Sequence, residues 1–255
     1  MRIRVLGCSG GIGLGFYTSS YLVDDNILID AGTGVGQLTV DEMSKIDVVF
    51  ITHAHLDHIA CLPLLADTTI THRQNPITVV ATQTTIDLLR AHIFNNAIWP
   101  DFSVIPTPQN PFICYRVIKH NESLSLNGIT ITAIPVEHTI PTVAYQLTST
   151  TGNNFIICGD TTVQNHFWQI ISDIPNLKGL AIETAFSDNE INLAQIAKHL
   201  TPKMLIDELK KLNQNIAIHV MHLKPGQTEV IIKELIQHAS LFNINLLFNN
   251  QIIDI

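Results

Sequence analysis

A chain of 255 residues, 46% of them hydrophobic and with a formal net charge of −8, has apolar side chains enough for a large core, and layered α/β units reach this length. The acidic balance argues against a broad basic footprint for duplex DNA or long RNA, and no uninterrupted apolar run reaches membrane-spanning length. Met1 to Gly7 reads as a short strand into a glycine turn, without the pattern of an export signal, and Cys8, Cys61, Cys114 and Cys158 form no Cys-x-x-Cys pair. A reducing, cytoplasmic location is therefore expected.

In chain order, apolar runs rich in β-branched residues predict strands over 2–6, 20–23, 27–30, 47–51 and 78–80. A helix is expected from Thr84 to Phe94, then strands over 113–118 and 129–134. The second half alternates more regularly. Strands near 143–147, 154–158, 179–183, 216–221 and 245–248 are interleaved with helices near 163–171, 189–198, 202–212 and 228–239. Ser187 with Glu190 three residues on reads as a capping box, and Thr201-Pro202 as an N-cap followed by proline in the first turn. No linker, low-complexity tract or repeat interrupts the chain, so a single domain over 1–255 is expected. Strands first and alternation later suggest two stacked sheets with helices outside.

Gly7-Cys8-Ser9-Gly10-Gly11-Ile12-Gly13-Leu14-Gly15 fits neither the dinucleotide fingerprint nor a P-loop. A strand rather than a helix is expected after it, so no helix N-terminus would face a phosphate. It reads as a flexible turn near the active site.

Chemistry concentrates in Thr52-His53-Ala54-His55-Leu56-Asp57-His58, which places four metal-ligand side chains within six positions directly after the apolar run 46–51. Strand ends are where layered α/β folds carry chemistry. Three imidazoles and a carboxylate suit zinc, with Mn²⁺ or Fe²⁺ as competitors. His138, Asp160 and His222 also end predicted strands and could converge on one edge. His219, three residues before His222, falls on the opposite face and is expected in the core or at the surface. Asp30 ends Ile27-Leu28-Ile29, where a carboxylate either accepts the N–H of a metal-bound imidazole or serves a strand-end turn. His72, His92, His120, His166 and His238 have no such setting.

Taken together, Ile29-Asp30-Ala31-Gly32, His53-Ala54-His55-Leu56-Asp57-His58, His138, Gly159-Asp160-Thr161 and His222 resemble the metallo-β-lactamase superfamily across nearly the whole chain. The resemblance implies an α/β fold, a four-layer αβ/βα sandwich of two mixed β-sheets flanked by helices, with a dinuclear metal centre at one edge. His53, His55 and His138 would then hold one ion, Asp57, His58 and His222 the other, with Asp160 bridging and Asp30 behind. The cofactors would be two divalent metal ions, zinc first, with manganese or iron as alternatives. Within the superfamily, His55-Leu56-Asp57-His58, Ile182 to Phe186, Lys198 to Pro202 and His222 to Pro225 are similar to class II 3′,5′-cyclic-nucleotide phosphodiesterases. So are His92 to Asn95 and Ile98 to Phe102. The chain departs at Cys61, where glycine or serine is usual, and lacks a serine expected around Leu64 to Asp67.

The implied activity is metal-dependent hydrolysis of cyclic AMP or cyclic GMP to 5′-monophosphates through a metal-bridging hydroxide. Asp57, His199 and Glu183 are the implied catalytic residues. His199, positioned by Glu183, would stabilise a non-bridging oxygen or protonate the leaving 3′ oxygen, and Asp57 or His199 would move the proton. The alternative is a ribonuclease-Z-like nuclease or another dinuclear-metal phosphodiesterase, since ribonuclease Z shares the Glu183 and His199 arrangement. Its basic arm is not visible, because the insertion 95–112 carries no lysine or arginine. The expected partner is thus a small cyclic nucleotide, with no stable nucleic-acid partner and no membrane; a homodimer is left open. Trp99 in the insertion forms either a rim on which a purine stacks or cover for one end of the core.

Overall fold

The computed structural model describes residues 1–237 and 241–255. Its first half contains β1 (Arg2–Gly7), β2 (Ser20–Val23), β3 (Ile27–Ile29), β4 (Val48–Phe50), β5 (Ile77–Ala81), a small hairpin β6 (Pro106–Thr107) with β7 (Asn110–Pro111), and β8 (Ile113–Val117). Then follow β9 (Ser123–Leu126), β10 (Ile129–Val136), β11 (Thr142–Thr148), β12 (Asn154–Ile157), β13 (Leu177–Glu183), β14 (Ala217–Met221), β15 (Asn243–Leu246) and β16 (Ile252–Asp254). They form two seven-stranded sheets, ordered β16-β1-β2-β3-β4-β5-β8 and β15-β14-β13-β12-β11-β10-β9. Both are mixed: β3-β4-β5-β8 and β12-β13-β14-β15 are parallel, and the rest are antiparallel.

The period-2 alternation of strands splits the first sheet's side chains between two cores. Ile27, Ile29, Val48 and Phe50 share a core with the second sheet. Their neighbours Leu28 and Val49 face α2 (Leu56–Ile59), α3 (Leu62–Thr69) and α4 (Gln83–His92), which follow the short α1 (Val40–Met43). Between the sheets, the Phe50 and Tyr145 rings meet edge-on at 5.2 Å, and the Tyr145 hydroxyl donates to the Ile51 carbonyl at 2.9 Å. Farther along, α5 (His166–Ser172), α7 (Pro202–Leu209) and α8 (Thr228–Ile236) bury Phe167, Leu205 and Ile231 in the second sheet's core, and α6 (Ile191–Ala197) adds Ala194. The layers therefore run helix, sheet, sheet, helix.

Several local expectations change. Residues 56–69, expected without helices, form α2 and α3, and strands β9 and β16 were not predicted. The strand expected at 245–248 lies two residues earlier. Ser187 makes no capping bond; it opens a short 3₁₀ turn over Asp188–Glu190, whose last residue takes the N-cap position of α6 without a side-chain capping bond. With Ser187 nearly fully buried and the Glu190 amide bonded to its carbonyl, the reciprocal side-chain bonds of a capping box do not form. Thr201 caps α7 as expected, its hydroxyl accepting from the Met204 amide. The predicted helix over 228–239 ends at Ile236, and His238 lies outside the described residues. Within the insertion, Trp99 is half-buried and packs against the helix-side core of the first sheet. Among the described residues, no helix is long and apolar enough to cross a membrane.

Candidate active site

Six strands bring residues at or just past their ends to one edge of the molecule. Asp30 directly follows β3, Thr52 and His53 lie just past β4, and His138 lies just past β10. Asp160 comes after β12, Glu183 is the last residue of β13, and His222 directly follows β14. His55, Asp57 and His58 sit where the chain after β4 turns into α2.

There, donor atoms of His53, His55, His138 and Asp160 lie within 4.8 Å of one another, as do those of Asp57, His58, Asp160 and His222. His55 Nδ1 is 3.1 Å from His53 Nε2 and 3.2 Å from His138 Nε2. The two oxygens of Asp160 divide between the groups. Oδ2 faces His53 Nε2 at 3.7 Å and His138 Nε2 at 3.9 Å, whereas Oδ1 faces His58 Nε2 and His222 Nδ1, each at 3.3 Å. Asp57 Oδ2 stands 3.6 Å from His222 Nε2.

Donor chemistry and spacing both fit a divalent cation. His58 Nε2, Asp160 Oδ1 and both His222 nitrogens are buried without a hydrogen bond, despite polar neighbours at 3.3–3.6 Å. Buried polar atoms left unpaired are costly and rare. Ligand atoms in a tetrahedron about 2.0–2.1 Å around an ion are themselves roughly 3.3 Å apart, so atoms aimed at a shared centre show this pattern.

Titration behaviour agrees for three of the imidazoles, whereas at His58 the carboxylates of Asp160 and Asp30 outweigh burial and hold the ring well above the usual range. Burial holds His53 well below the usual imidazole range, His138 down to about 4 and His222 to about 3, so their lone pairs are free. For Asp160 burial favours the neutral acid, but His222, His58 and His53 overcome it and hold the carboxyl well below its ordinary value.

The neighbouring chain aims these rings. Asp30 is buried with left-handed backbone (φ 57°), accepts from the Thr52 amide and hydroxyl, both at 2.8 Å, and meets His58 Nδ1 at 2.6 Å. With Nδ1–H committed to Asp30, His58 turns Nε2 to Asp160. His138 Nδ1 donates to the Lys198 carbonyl at 2.9 Å, which frees Nε2 in the same way. His222 is also left-handed (φ 64°), and its amide donates to the Cys8 carbonyl at 2.6 Å. The glycine-rich loop explains itself here: a Cβ on Gly10 would stand 2.4 Å from the His222 carbonyl oxygen and 2.8 Å from its ring.

Beside this cluster, His199 Nδ1 meets Glu183 Oε1 at 2.6 Å. The fully buried Glu183 also accepts from the Thr161 amide on Oε1 at 2.9 Å and from the Leu200 amide on Oε2 at 3.2 Å. Both oxygens are thus spent on donors, which suits a carboxylate that orients His199 better than one that ligates. Burial alone would depress His199, yet Glu183 raises it above the usual imidazole value. Its ring stacks on His222 at 5.5 Å and lies 5.0 Å from His138, while Phe186 meets it from another side at 5.7 Å.

The structure therefore brings together Asp30, His53, His55, Asp57, His58, His138, Asp160, Glu183, His199 and His222. It leaves out His72, His92, His120 and His166, and His219 packs its ring against Phe155. Sequence reasoning assigned nothing to Thr52, to the Lys198 carbonyl or to Phe186. Thr52 stood in the quoted motif, but only pairing across β3 and β4 reveals its bonds to Asp30.

A family model for the class-II cAMP phosphodiesterases matches residues 37–240. The chain belongs to that family. A probable 3′,5′-cyclic-nucleotide phosphodiesterase of Yersinia pestis is 29% identical over 276 residues, an alignment spanning 88% of this chain and 78% of the relative. Among solved structures, unliganded yeast PDE1 superposes with a TM-score of 0.85 at 20% identity, covering 100% of this chain and 99% of the yeast chain. The metallo-β-lactamase fold protein YhfI from Bacillus subtilis gives 0.79 at 18% identity, covering 99% of each. The fold of this class-II family member is the metallo-β-lactamase sandwich that its motifs imply.

Proposed function

We propose that this protein is a metal-dependent phosphodiesterase that hydrolyses 3′,5′-cyclic nucleotides to 5′-monophosphates. The observation that carries the phosphodiester chemistry is the Glu183–His199 pair stacked against a donor set of five histidines and two aspartates. Family membership and the Yersinia relative support the cyclic-nucleotide substrate.

His53, His55 and His138 would hold one divalent ion, Asp57, His58 and His222 a second, with Asp160 shared. Zinc suits an imidazole-rich set, and manganese and iron share its donors. When bound, such ions supply charge neutralisation for the phosphodiester and a nucleophile at neutral pH.

The chain's own residues do the remainder. With Nδ1–H fixed on Glu183, His199 presents Nε2 to the substrate, either donating to a non-bridging oxygen or passing a proton to the leaving 3′ oxygen. Asp57, with a side chain 26% exposed against 2% for Asp160, is the carboxylate that can accept the proton lost by attacking water. Water adds to phosphorus, the bond to the 3′ oxygen breaks, and that oxygen takes a proton. Residues 1–255 act as one domain, since donors from both sheets build one site. Free cysteines agree with a cytoplasmic location.

The ribonuclease alternative is disfavoured because the 95–112 insertion lacks basic residues and packs its aromatics onto the core. The test is turnover of cyclic AMP, cyclic GMP, a cyclic dinucleotide and a precursor transfer RNA with Zn²⁺ or Mn²⁺ added. His199→Ala should keep its metals and lose on the order of 10²–10³ in cyclic-nucleotide turnover. Cleavage of the transfer RNA alone, or full turnover in His199→Ala, would reject the proposal.

A further inference from the structure

A cyclic nucleotide is an anion and its 5′-monophosphate product carries more charge, yet the groups discussed so far include no permanent cation. This acidic protein has 14 lysines and arginines against 22 acids, so a lysine held beside the site is informative. Lys224 follows His222 by two residues. Its amide donates to the Ala185 carbonyl at 3.2 Å, on the loop between Glu183 and Phe186, and its ammonium donates to the Gly10 carbonyl at 2.6 Å. Gly10 in turn lies against the His222 ring. The residue thus joins both loops that flank His222, one through its amide and the other through its ammonium.

Lys224 is half-buried, and its ammonium is seated on a loop that touches a ligand histidine. Among the described residues no carboxylate lies within ion-pair distance of its ammonium, which is equally true of Lys198, whose ammonium donates to the His138 carbonyl at 3.0 Å. An ammonium carries three donors, and Gly10 uses one, which leaves two free.

We propose that Lys224 is a substrate-binding residue whose ammonium, parked on the Gly10 carbonyl, engages a phosphate oxygen of the cyclic nucleotide and holds the more charged product more strongly still. This rests on the cyclic-nucleotide reading of the site. The same contact ties the glycine loop to His222, so a purely structural role is the competitor, and the readouts must separate the two.

The experiment uses the metal-loaded full chain as wild type, Lys224→Met, Lys224→Arg and the charge-matched control Lys119→Gln. Cyclic AMP kinetics, inhibition by 5′-AMP and bound metal by elemental analysis are measured on each. Lys224→Met should keep its metals and raise KM about 10-fold, as expected for losing a hydrogen bond to a charged group. Its inhibition constant for 5′-AMP should rise by more than KM does. Lys224→Arg should recover most of both, and Lys119→Gln should match wild type. Unchanged KM and inhibition constant in Lys224→Met would overturn the inference, as would loss of metal or a fall confined to kcat. Should wild type fail to hydrolyse cyclic AMP, the substrate reading fails separately. Calorimetric titration of 5′-AMP onto wild type and Lys224→Met then decides the lysine's role, equal affinities refuting it.

Discussion

Glu183→Gln isolates the orienting carboxylate while nearly preserving its shape. Three donors converge on Glu183: His199 Nδ1 and the Thr161 amide on Oε1, the Leu200 amide on Oε2. Glutamine has one acceptor oxygen. Its better orientation keeps that oxygen on His199 and Thr161 and sets an amide N–H against the Leu200 N–H. The retained bonds lose charge assistance, each charged bond being worth about 1.5–3 kcal/mol and a neutral one roughly half. An unpaired Leu200 amide adds about 1–3 kcal/mol. Against this, burial disfavours the Glu183 carboxylate, and a neutral side chain escapes that cost. The balance is a modest loss, about 1–2 kcal/mol, or roughly 2–8 °C in Tm at this length. Turnover should suffer more, by about 10²–10³ (roughly 2.7–4 kcal/mol), because the bond that orients His199 loses its charge assistance and His199 loses the anion that raises its proton affinity. The assay compares cyclic AMP turnover with thermal midpoint and metal content in one preparation. Turnover within about threefold of wild type, in folded and metal-replete protein, would refute the orienting role.

Asp160→Ala should lose bound metal by elemental analysis, because its two oxygens face both donor groups; full retention of two ions would contradict a shared ligand. Gly10→Ala forces a Cβ to within 2.4 Å of the His222 carbonyl oxygen, so metal affinity and turnover should fall together while the far-UV spectrum stays native. Unchanged metal affinity would show that the loop can give way. Trp99→Ala should lower stability by roughly 2–3 kcal/mol, less than for a fully buried tryptophan, and leave the KM for cyclic AMP unchanged. A raised KM would revive purine stacking on Trp99.

Most long strands were legible because their apolar runs are dense and β-branched, and the site was legible because its ligands sit at the ends of those runs. His138, Asp160 and His222 could each be picked from a strand that stops at a polar residue. What escaped was local or cooperative. Helices α2 and α3 lie among ligand histidines and a proline, where side-chain pattern says little and packing of Leu62, Leu65 and Ala66 against the first sheet decides. The edge strand β9 (Ser-Leu-Ser-Leu) is mostly exposed and takes its form from β10. Ser187 and Glu190 have the spacing of a capping box, but burial of the serine overrides it. The Thr52–Asp30–His58 and Lys198–His138 bonds join residues far apart in sequence, so no window of residues contains them.

The strand-end placement of the donors has a bearing on how such a site diversifies. Asp30, Asp160 and His222 each stand at or just past a strand fixed by sheet pairing, and the loop that would meet a substrate begins only after them. Insertions and substitutions in those loops can alter which phosphodiester is admitted without displacing a ligand. Lys224, two residues beyond His222, and Phe186, three beyond Glu183, lie in that permissive zone. Selectivity here can drift on a short evolutionary leash while the reacting centre stays anchored to the sheets.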